Sequence, residues 1–330
     1  MVKHVKVENL RLETTDHFDL FICSASFEDR CSTIASNLLP SNIGRALICT
    51  NRDYDEYIKD NLQMLTELFT GIYQIADVFS SSPLKSADNI EEALNELSAG
   101  KSPQSILLDI TTFTHESLLI LLAILNNKYP TTKVTCCYVN AKEYSIDSTK
   151  QEDKWLSIGV GEVRTILGYA GTIKPSLKTH LIVVVGYEHE RATKIIERLE
   201  PDTLSLGYGE ASDATTEKNR GANKQFVDLI KEMSVYYENV SEFVVPCNSP
   251  YNACKAILNE VNRIGPDKNI IIVPMNNKIS TIGVALACFQ KKDIQLCYAP
   301  ALIYNYLSYS VPGDKCYFFN LDVSPELSKH

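Results

Sequence analysis

Short apolar runs alternate with segments of helical periodicity along most of the 330-residue chain, and this alternation constrains the fold more than any other feature. The apolar runs have the length of buried strands, and the segments after them carry apolar residues at helical spacing. Strands that alternate with helices imply parallel sheets with helices packed on both faces. The sequence therefore predicts an α/β, doubly wound architecture.

Five strands are predicted in each half of the chain. They span residues 18–25, 45–50, 72–79, 105–108 and 133–139, and then 180–186, 203–206, 240–245, 269–274 and 294–298. The helices that follow the first strand of each half are predicted to end at about residue 39 and about residue 199. The other predicted helices span 54–69, 86–97 and 117–126 in the first half, and 223–235, 251–261 and 278–289 in the second. A last strand is predicted at a sheet edge over residues 314–321.

Several residues of the two halves match at one constant offset in the sequence. Phe27 follows the first strand of the first half as Tyr187 does in the second, and Tyr138 ends the fifth strand as Tyr298 does. An offset of 160 residues shared by several elements indicates a repeat. We therefore expect two tandem Rossmann-like sheets, mostly parallel, that are related by internal duplication.

The length of the chain suits two domains of ordinary size. We expect an N-terminal Rossmann-like domain over residues 1–141 and a C-terminal one over 179–330. The intervening linker, 142–178, is predicted to contain a helix over 160–167.

Composition excludes several classes of function. A net charge of −9 argues against bulk binding of nucleic acid through a basic face. No apolar run approaches the roughly 20 residues that a membrane span needs, and the first residues carry no apolar signal core, so we expect a cytoplasmic protein. Ten cysteines without a C-x-x-C pair favour reduced core thiols, with no metal site. Neither half contains G-x-G-x-x-G or a P-loop, and we expect no cofactor.

The stretch 105–116 joins a buried strand to an apolar helix through a polar loop. Asp109 ends the strand, and the candidate ligand-binding residues Thr111, Thr112, Thr114 and His115 follow. Open α/β sheets place ligands at such junctions, and a helix start attracts anions. The alternative is that Asp109 or a threonine only caps the helix, and that His115 has no chemical task.

Polar residues recur at the ends of strands one and four in both halves. In the first half, the further candidates are Ser24, Ser26, Glu28 and Arg30; in the second they are Tyr187, Glu188, Arg191, Asn276, Asn277, Lys278 and Ser280. We expect at least one of the two arginines to face a cleft. The alternative is that each arginine pairs with its neighbouring glutamate in an inconsequential salt bridge, and that an asparagine or Ser280 caps a helix.

A cluster of tyrosines follows the fifth strand of the second half. Tyr304, Tyr306 and Tyr309 present aromatic faces with polar tips, which suit stacking on a nucleobase. Packing beneath the last strand is the alternative, and Tyr304 is the ligand-binding candidate of the three.

The first half resembles the CARF domain, the Rossmann-like sensor of cyclic oligonucleotides in CRISPR-associated proteins. The resemblance rests on the loop that begins with Asp109 and Thr111, with His115 where the family has lysine or arginine. The second half departs from the pattern because Asn276 and Lys278 are too close together. CARF domains usually pair around their ligand, so two fused units would look like the SAVED domain of bacterial anti-phage systems.

The sequence leads to three hypotheses about function. The first is a sensor or binding protein for a nucleotide-like anionic ligand, which the resemblance extends to a cyclic oligonucleotide held where the halves meet, an effector protein partner and antiviral defence. The second is a nucleotide-processing hydrolase or nuclease with Glu28 or Glu188 as general base or nucleophile. The third is a non-catalytic interaction subunit. We expect hydrogen bonds from the threonines to lower the pKa of Asp109, which would make it a poor base.

Overall fold

The structure, a computed structural model, contains the alternating strands and helices that the sequence predicts. It describes residues 2–98, 100–148, 150, 152, 154–210, 222–233, 237 and 240–321. The strands there are β1 (Lys3–Lys6), β2 (Phe18–Ala25), β3 (Ile43–Asn51), β4 (Tyr73–Val78), β5 (Ser105–Asp109), β6 (Lys133–Tyr144), β7 (Ser157–Val160), β8 (Arg164–Thr165), β9 (Lys178–Val184), β10 (Thr203–Tyr208), β11 (Val240–Val244), β12 (Lys268–Pro274), β13 (Gln295–Tyr298), β14 (Ala301–Tyr304) and β15 (Ser310–Leu321).

The α-helices of the described residues lie between these strands, as parallel pairing requires. They are α1 (Leu10–Glu13), α2 (Thr33–Asn37), α3 (Asp55–Leu68), α4 (Pro83–Ser98), α5 (His115–Lys128), α6 (His189–Leu199), α7 (Ala222–Met233), α8 (Pro250–Ile264) and α9 (Lys278–Gln290). The last two residues of the helix predicted over 223–235 lie outside the described residues. None of the helices in the described part of the chain has the length and apolarity that a membrane span requires.

The chain divides into two units. The first unit comprises Met1–Ser145 and Tyr306–His330, and the second comprises Ile146–Asn305. This division differs from the predicted domains because β15 pairs antiparallel with β6 and with β1, so the end of the described chain returns to the first sheet. The strand predicted over 314–321 is present, but it lies between two neighbours and not at the edge.

The sheet of each unit has the same order of parallel strands. In the first unit, β2 is central, with β3 and β4 on one side and β5 and β6 on the other. In the second unit, β9 takes the centre, with β10 and β11 on one side and β12 and β13 on the other. Numbered along each unit, this 3-2-1-4-5 order is that of the Rossmann type of doubly wound sheet. The α/β Rossmann-like prediction is therefore confirmed, whereas the internal duplication stays a prediction.

The prediction of a helix over residues 160–167 is wrong. β7 ends at Val160 and pairs antiparallel with β14, while β8 pairs antiparallel with β13 through Thr165 and Cys297. The segment is rich in β-branched residues, which suit a strand once a partner strand is at hand. That partner lies about 130 residues further along the chain, so local periodicity could not reveal it.

A buried polar network crosses the second sheet away from its carboxyl ends. The two ring nitrogens of His180 each lie 2.7 Å from a hydroxyl, that of Thr203 or that of Ser205. Ser205 donates to the carboxylate of Glu260 at 2.6 Å, and Arg263 donates to the same oxygen. Burial, together with the charge of Lys268, lowers the pKa of His180 from 6.5 to about 4. His180 is therefore neutral at physiological pH.

Candidate functional site at the carboxyl ends of the strands

The loop after β5 uses its polar side chains to hold its own backbone. One carboxylate oxygen of Asp109, Oδ1, accepts hydrogen bonds from the backbone N–H of Thr111 at 3.0 Å and from its hydroxyl. The hydroxyl of Thr111 in turn accepts from the N–H of Val139, and that of Thr112 donates to the carbonyl of Ser24 at 2.7 Å. These bonds tie the carboxyl ends of β2 and β5 to the middle of β6.

The start of α5 is capped as the alternative interpretation of this loop expected. Thr114 is the N-cap, and its hydroxyl accepts from the backbone N–H of Ser117 at 3.1 Å. His115 is the first helical residue and is buried. Thr114 therefore has a structural role as a helix cap.

The expected lowering of the pKa of Asp109 was wrong. Burial raises the pKa of this carboxyl from 3.8 to about 7, although the two bonds from Thr111 and the charge of Arg30 oppose the rise. Asp109 is 2% exposed, and its second oxygen, Oδ2, has no hydrogen-bond partner among the described residues. Loss of hydration therefore outweighs the hydrogen bonds that the sequence suggested.

Glu28 and Arg30 form a buried ion pair after β2. Two guanidinium nitrogens of Arg30, Nε and Nη2, donate to Glu28 Oε2 at 3.1 and 2.6 Å. The third, Nη1, donates to the carbonyl of Val139 at 3.0 Å, and Ser310 donates to Glu28. The side chain of Arg30 is only 3% exposed. The two residues pair as the alternative interpretation expected, but in the interior and with every guanidinium nitrogen engaged.

Ser24 and Ser26 support this arrangement from β2 and the loop after it. Both are buried, and the hydroxyl of Ser26 accepts from the backbone N–H of Glu28 at 3.2 Å. The carbonyl of Ser26 accepts from the side-chain amide of Asn61 at 2.9 Å. Ser26 thus positions the loop that carries Glu28, whereas the carbonyl of the buried Ser24 holds Thr112 of the loop after β5.

The second unit repeats the ion pair with Glu188 and Arg191. Nη2 of Arg191 donates to Glu188 Oε2, and Ser157 donates to Glu188 Oε1. The side chain of Arg191 is 4% exposed. Its Nε and Nη1 atoms are buried without a hydrogen-bond partner in the described part of the chain. This arginine therefore has donors to spare, in contrast to Arg30.

A tyrosine ring from β6 faces Arg30, and one from β13 faces Arg191. The guanidinium of Arg30 lies 6.0 Å from the ring centre of Tyr144, and that of Arg191 lies 5.6 Å from that of Tyr298. The hydroxyls of Tyr298 and Tyr304 are 3.4 Å apart. Burial opposes the charge of Arg191, but Glu188 and these two tyrosines outweigh it and raise the pKa of the guanidinium. Arg191 therefore keeps its positive charge throughout the physiological range.

The loop after β12 is also largely self-contained. Asn276 donates to the carbonyl of Val185, and the side-chain amide of Asn277 donates to that of Cys247 at 2.8 Å. Asn277 is the N-cap of α9 and accepts from the N–H of Ser280, whose hydroxyl donates back to the carbonyl of Asn277. Lys278 is the first helical residue. The predicted residues come together here, and both asparagines have structural partners.

The glycine at the end of β9 allows a very close approach of two strand ends. A Cβ atom on Gly186 would lie 2.0 Å from the carbonyl oxygen of Met275. Only glycine fits there, so the loops after β9 and β12 are held together at the centre of the sheet.

Sequence reasoning missed three residues at this edge of the second unit: His189, Asn223 and Phe226. His189 Nδ1 and Asn223 Oδ1 are buried and lack hydrogen-bond partners among the described residues. The ring of Phe226 stacks on His189 with centroids 5.2 Å apart, and Tyr187 meets Phe226 edge-on at 5.9 Å. The position of His189 directly after Glu188 was the available signal; Asn223 and Phe226 had none beyond their predicted helix.

The tyrosine cluster divides between the units. Tyr304 lies in the second unit beside Tyr298, whereas Tyr306 stacks on Tyr57 of the first unit with centroids 3.8 Å apart. Tyr309 packs edge-on against Phe27 at 5.9 Å. Tyr306 and Tyr309 therefore pack against aromatic side chains of their own unit.

The described residues contain no group of three or more histidine, cysteine, aspartate or glutamate side chains that could hold an ion. All ten cysteines are buried thiols that form no disulfide, and burial raises the pKa of Cys31 and Cys49 to about 12. These thiols are core residues and are not nucleophiles.

No family model matches the sequence, and no curated protein matches it. Two solved structures show a distant likeness. The cytoplasmic domain of a prokaryotic cation chloride cotransporter shares 10% identity over 89% of this chain and 98% of its own, with a TM-score of 0.26. A multidomain structure of a keto acid-selecting NRPS module, with adenylation, ketoreductase and pseudo-Asub domains, shares 10% identity over 84% of this chain and 29% of its own, with a TM-score of 0.24. TM-scores this low carry no argument about function, and the CARF and SAVED resemblance stays a prediction.

Proposed function

We propose that the second unit binds an anionic ligand of nucleotide-like chemistry at the carboxyl end of β9, with Arg191 as its anchor. The observation that carries this proposal is the pair of buried guanidinium nitrogens, Nε and Nη1, that lack hydrogen-bond partners in the described part of the chain. A buried charged group with unmet donors is costly, and an anion would satisfy them with charge-assisted bonds.

The position of Arg191 in the fold supports the same ligand chemistry. It lies in the first turn of α6, whose N-cap residue, Glu188, makes no side-chain capping bond. The N–H groups and the dipole at a helix start favour an anion. The α6 helix follows the central strand β9, beside which the strand order reverses, and this is where open α/β sheets bind ligands.

The sensor hypothesis fits this site better than catalysis by the two glutamates. Both Glu28 and Glu188 accept hydrogen bonds from an arginine and a serine, so each carboxylate is already held in an ion pair within its own unit. A catalytic role would suit Asp109 better, because its pKa of about 7 is matched to proton transfer near neutrality. The cytoplasmic location, the cyclic oligonucleotide, the effector partner and the role in antiviral defence remain predictions from the sequence.

The test is a calorimetric titration of pyrophosphate, nucleoside monophosphates and cyclic oligonucleotides into wild-type protein and Arg191→Met. Arg198→Met is the matched control, since Arg198 is an exposed arginine of the same helix. We expect Arg191→Met to weaken binding about 10- to 100-fold, the effect of losing one or two charge-assisted bonds, and Arg198→Met to leave it unchanged. Equal affinity in all three proteins would contradict the proposal. Chromatography of each ligand after incubation separates a sensor, which returns it intact, from an enzyme.

A further inference from the structure

A second set of unmet polar atoms lies beside the Arg191 site. His189 Nδ1 and Asn223 Oδ1 are buried without hydrogen-bond partners among the described residues. His189 opens α6, and Asn223 lies in the first turn of α7, the helix that follows β10. Together with Arg191, these residues account for all the buried unpaired side-chain atoms that the described part of the second unit contains.

Aromatic rings join these two polar groups. Phe226 lies three residues after Asn223, so both side chains share one face of α7. The ring of Phe226 lies nearly parallel to that of His189, with 10° between the planes, and Tyr187 closes against its edge. Rings with adjacent hydrogen-bonding atoms are the usual means of holding a planar heterocycle.

A glycine lets the Asn223 amide reach the sheet. A Cβ atom on Gly209, just after β10, would lie 2.9 Å from Asn223 Nδ2 and 2.7 Å from Cys247 Sγ. The amide therefore packs against the chain at the carboxyl end of β10, and its nitrogen faces that contact. Its oxygen, Oδ1, is the atom left to accept a hydrogen bond.

His189 and Arg191 project in different directions because residues two apart do not share a helix face. Arg191 contacts Tyr298 of β13, on one side of β9, and His189 contacts Phe226 of α7, which follows the strand on the other side. One ligand that meets both must cross the carboxyl end of β9 and must carry a different chemical group on each side.

We infer that the ligand is a nucleotide whose phosphate is held by Arg191 and whose base, bearing an exocyclic amino group, lies against Phe226 and His189. The amino group donates to Asn223 Oδ1. His189 Nδ1 accepts from or donates to the same base edge, depending on its tautomer. This inference rests on the proposed function and adds the class of the ligand.

The experiment titrates three probes, AMP, purine riboside 5′-monophosphate and pyrophosphate, into wild type, Asn223→Ala, Asn223→Asp and Arg191→Met. Purine riboside 5′-monophosphate lacks only the amino group of AMP. We expect the wild type to bind AMP about tenfold more tightly than this analogue, which corresponds to one hydrogen bond. Asn223→Ala should remove that preference and leave pyrophosphate unaffected. Asn223→Asp should keep it, because the carboxylate still accepts a hydrogen bond.

The outcomes separate the inference from the proposal beneath it. If Arg191→Met weakens all three probes but Asn223→Ala changes none of them, the base site is wrong and the anion site stands. If the wild type binds AMP no better than pyrophosphate, the inference is also overturned. If Arg191→Met changes nothing, the proposed function fails first. Fluorescence of Trp155, the single tryptophan and a residue of the second unit, checks that each variant is folded.

Discussion

Each unit places a buried glutamate–arginine pair at the same point of the same strand order. The two pairs differ in how many N–H donors of the arginine have a hydrogen-bond partner. All three nitrogens of the Arg30 guanidinium have partners, and the carbonyl of Val139 takes the last of them. Nη2 of Arg191 donates to Glu188, while its Nε and Nη1 have no hydrogen-bond partner among the described residues. The comparison teaches that a residue pattern alone does not identify a binding site. The two pairs are distinguished by the buried N–H donors of Arg191 that lack a partner among the described residues.

The largest expected effect is on the stability of the first unit in Arg30→Met. This change leaves Glu28 and the Val139 carbonyl buried without their main partner, which should cost about 3–5 kcal/mol. Arg191→Met should cost less, because Nε and Nη1 of Arg191 have no hydrogen bond to lose within the part of the chain that the structure describes. Pulsed alkylation in denaturant reports each unit separately, since six of the ten buried cysteines lie in the first unit and four in the second. Equal losses in the two variants would undo the distinction between the pairs.

Asp109 should make the first unit less stable as the pH rises. Its folded-state pKa, about 7, lies above the 3.8 of an ordinary aspartate, so the folded state binds the proton more tightly than the unfolded chain does. The contribution is full below pH 3.8 and is lost as the pH rises through 7, by roughly 4 kcal/mol in all. Alkylation of Cys23 and Cys137 at a fixed pulse pH measures it. Asp109→Asn is the control, and an unchanged pH profile in this variant would contradict the assignment.

His180 should give the second unit the opposite dependence. Its folded-state pKa, about 4, lies below the ordinary 6.5, so the unfolded chain binds more protons between these values. Stability is therefore lost as the pH falls from 6.5 towards 4, by roughly 3 kcal/mol. The groups that face the ring are Lys268, Arg263 and Glu260. Denaturation followed by Trp155 fluorescence should show this slope, and His180→Gln should flatten it between pH 6.5 and 5; persistence of the slope would assign it to another group.

The smallest expected effect is the loss of stability when the N-cap of α5 or of α9 is removed. These two helices follow β5 and β12. Thr114→Ala should cost about 1 kcal/mol through the lost bond to the Ser117 N–H. Asn277→Ala should cost more, about 2 kcal/mol, because it also releases the carbonyl of Cys247. Chemical denaturation of both variants measures the difference, and a larger loss for Thr114→Ala would reverse the ranking.

The sequence predicted those features that short stretches determine. The alternation of strands and helices follows from local periodicity, and the caps Thr114 and Asn277 are among the several capping residues that the alternative interpretation allowed. The sequence did not predict the pairing of strands that lie far apart along the chain. The return of β15 to the first sheet moved the unit boundary, and the pairing of β8 with β13 replaced a predicted helix by a strand.

The candidate site was predicted in its residues but not in its chemistry. Glu28, Arg30, Glu188 and Arg191 were singled out by position. The number of hydrogen bonds that these side chains make depends on Val139, Ser310 and Ser157, which come from distant segments. The pKa of Asp109 was predicted in the wrong direction because the depth of burial is a property of the whole fold.

The most direct measurement of the central claim is the side-chain NMR signal of each arginine Nε–H during titration with pyrophosphate. The signals of Arg30 and Arg191 are assigned from the Arg30→Lys and Arg191→Lys variants. We expect the Arg191 Nε–H signal to move with saturable dependence on pyrophosphate, because this atom has no hydrogen-bond partner among the described residues. The Arg30 signal should stay in place, because its Nε–H is bonded to Glu28. Movement of Arg30 alone, or of neither arginine, would contradict the account.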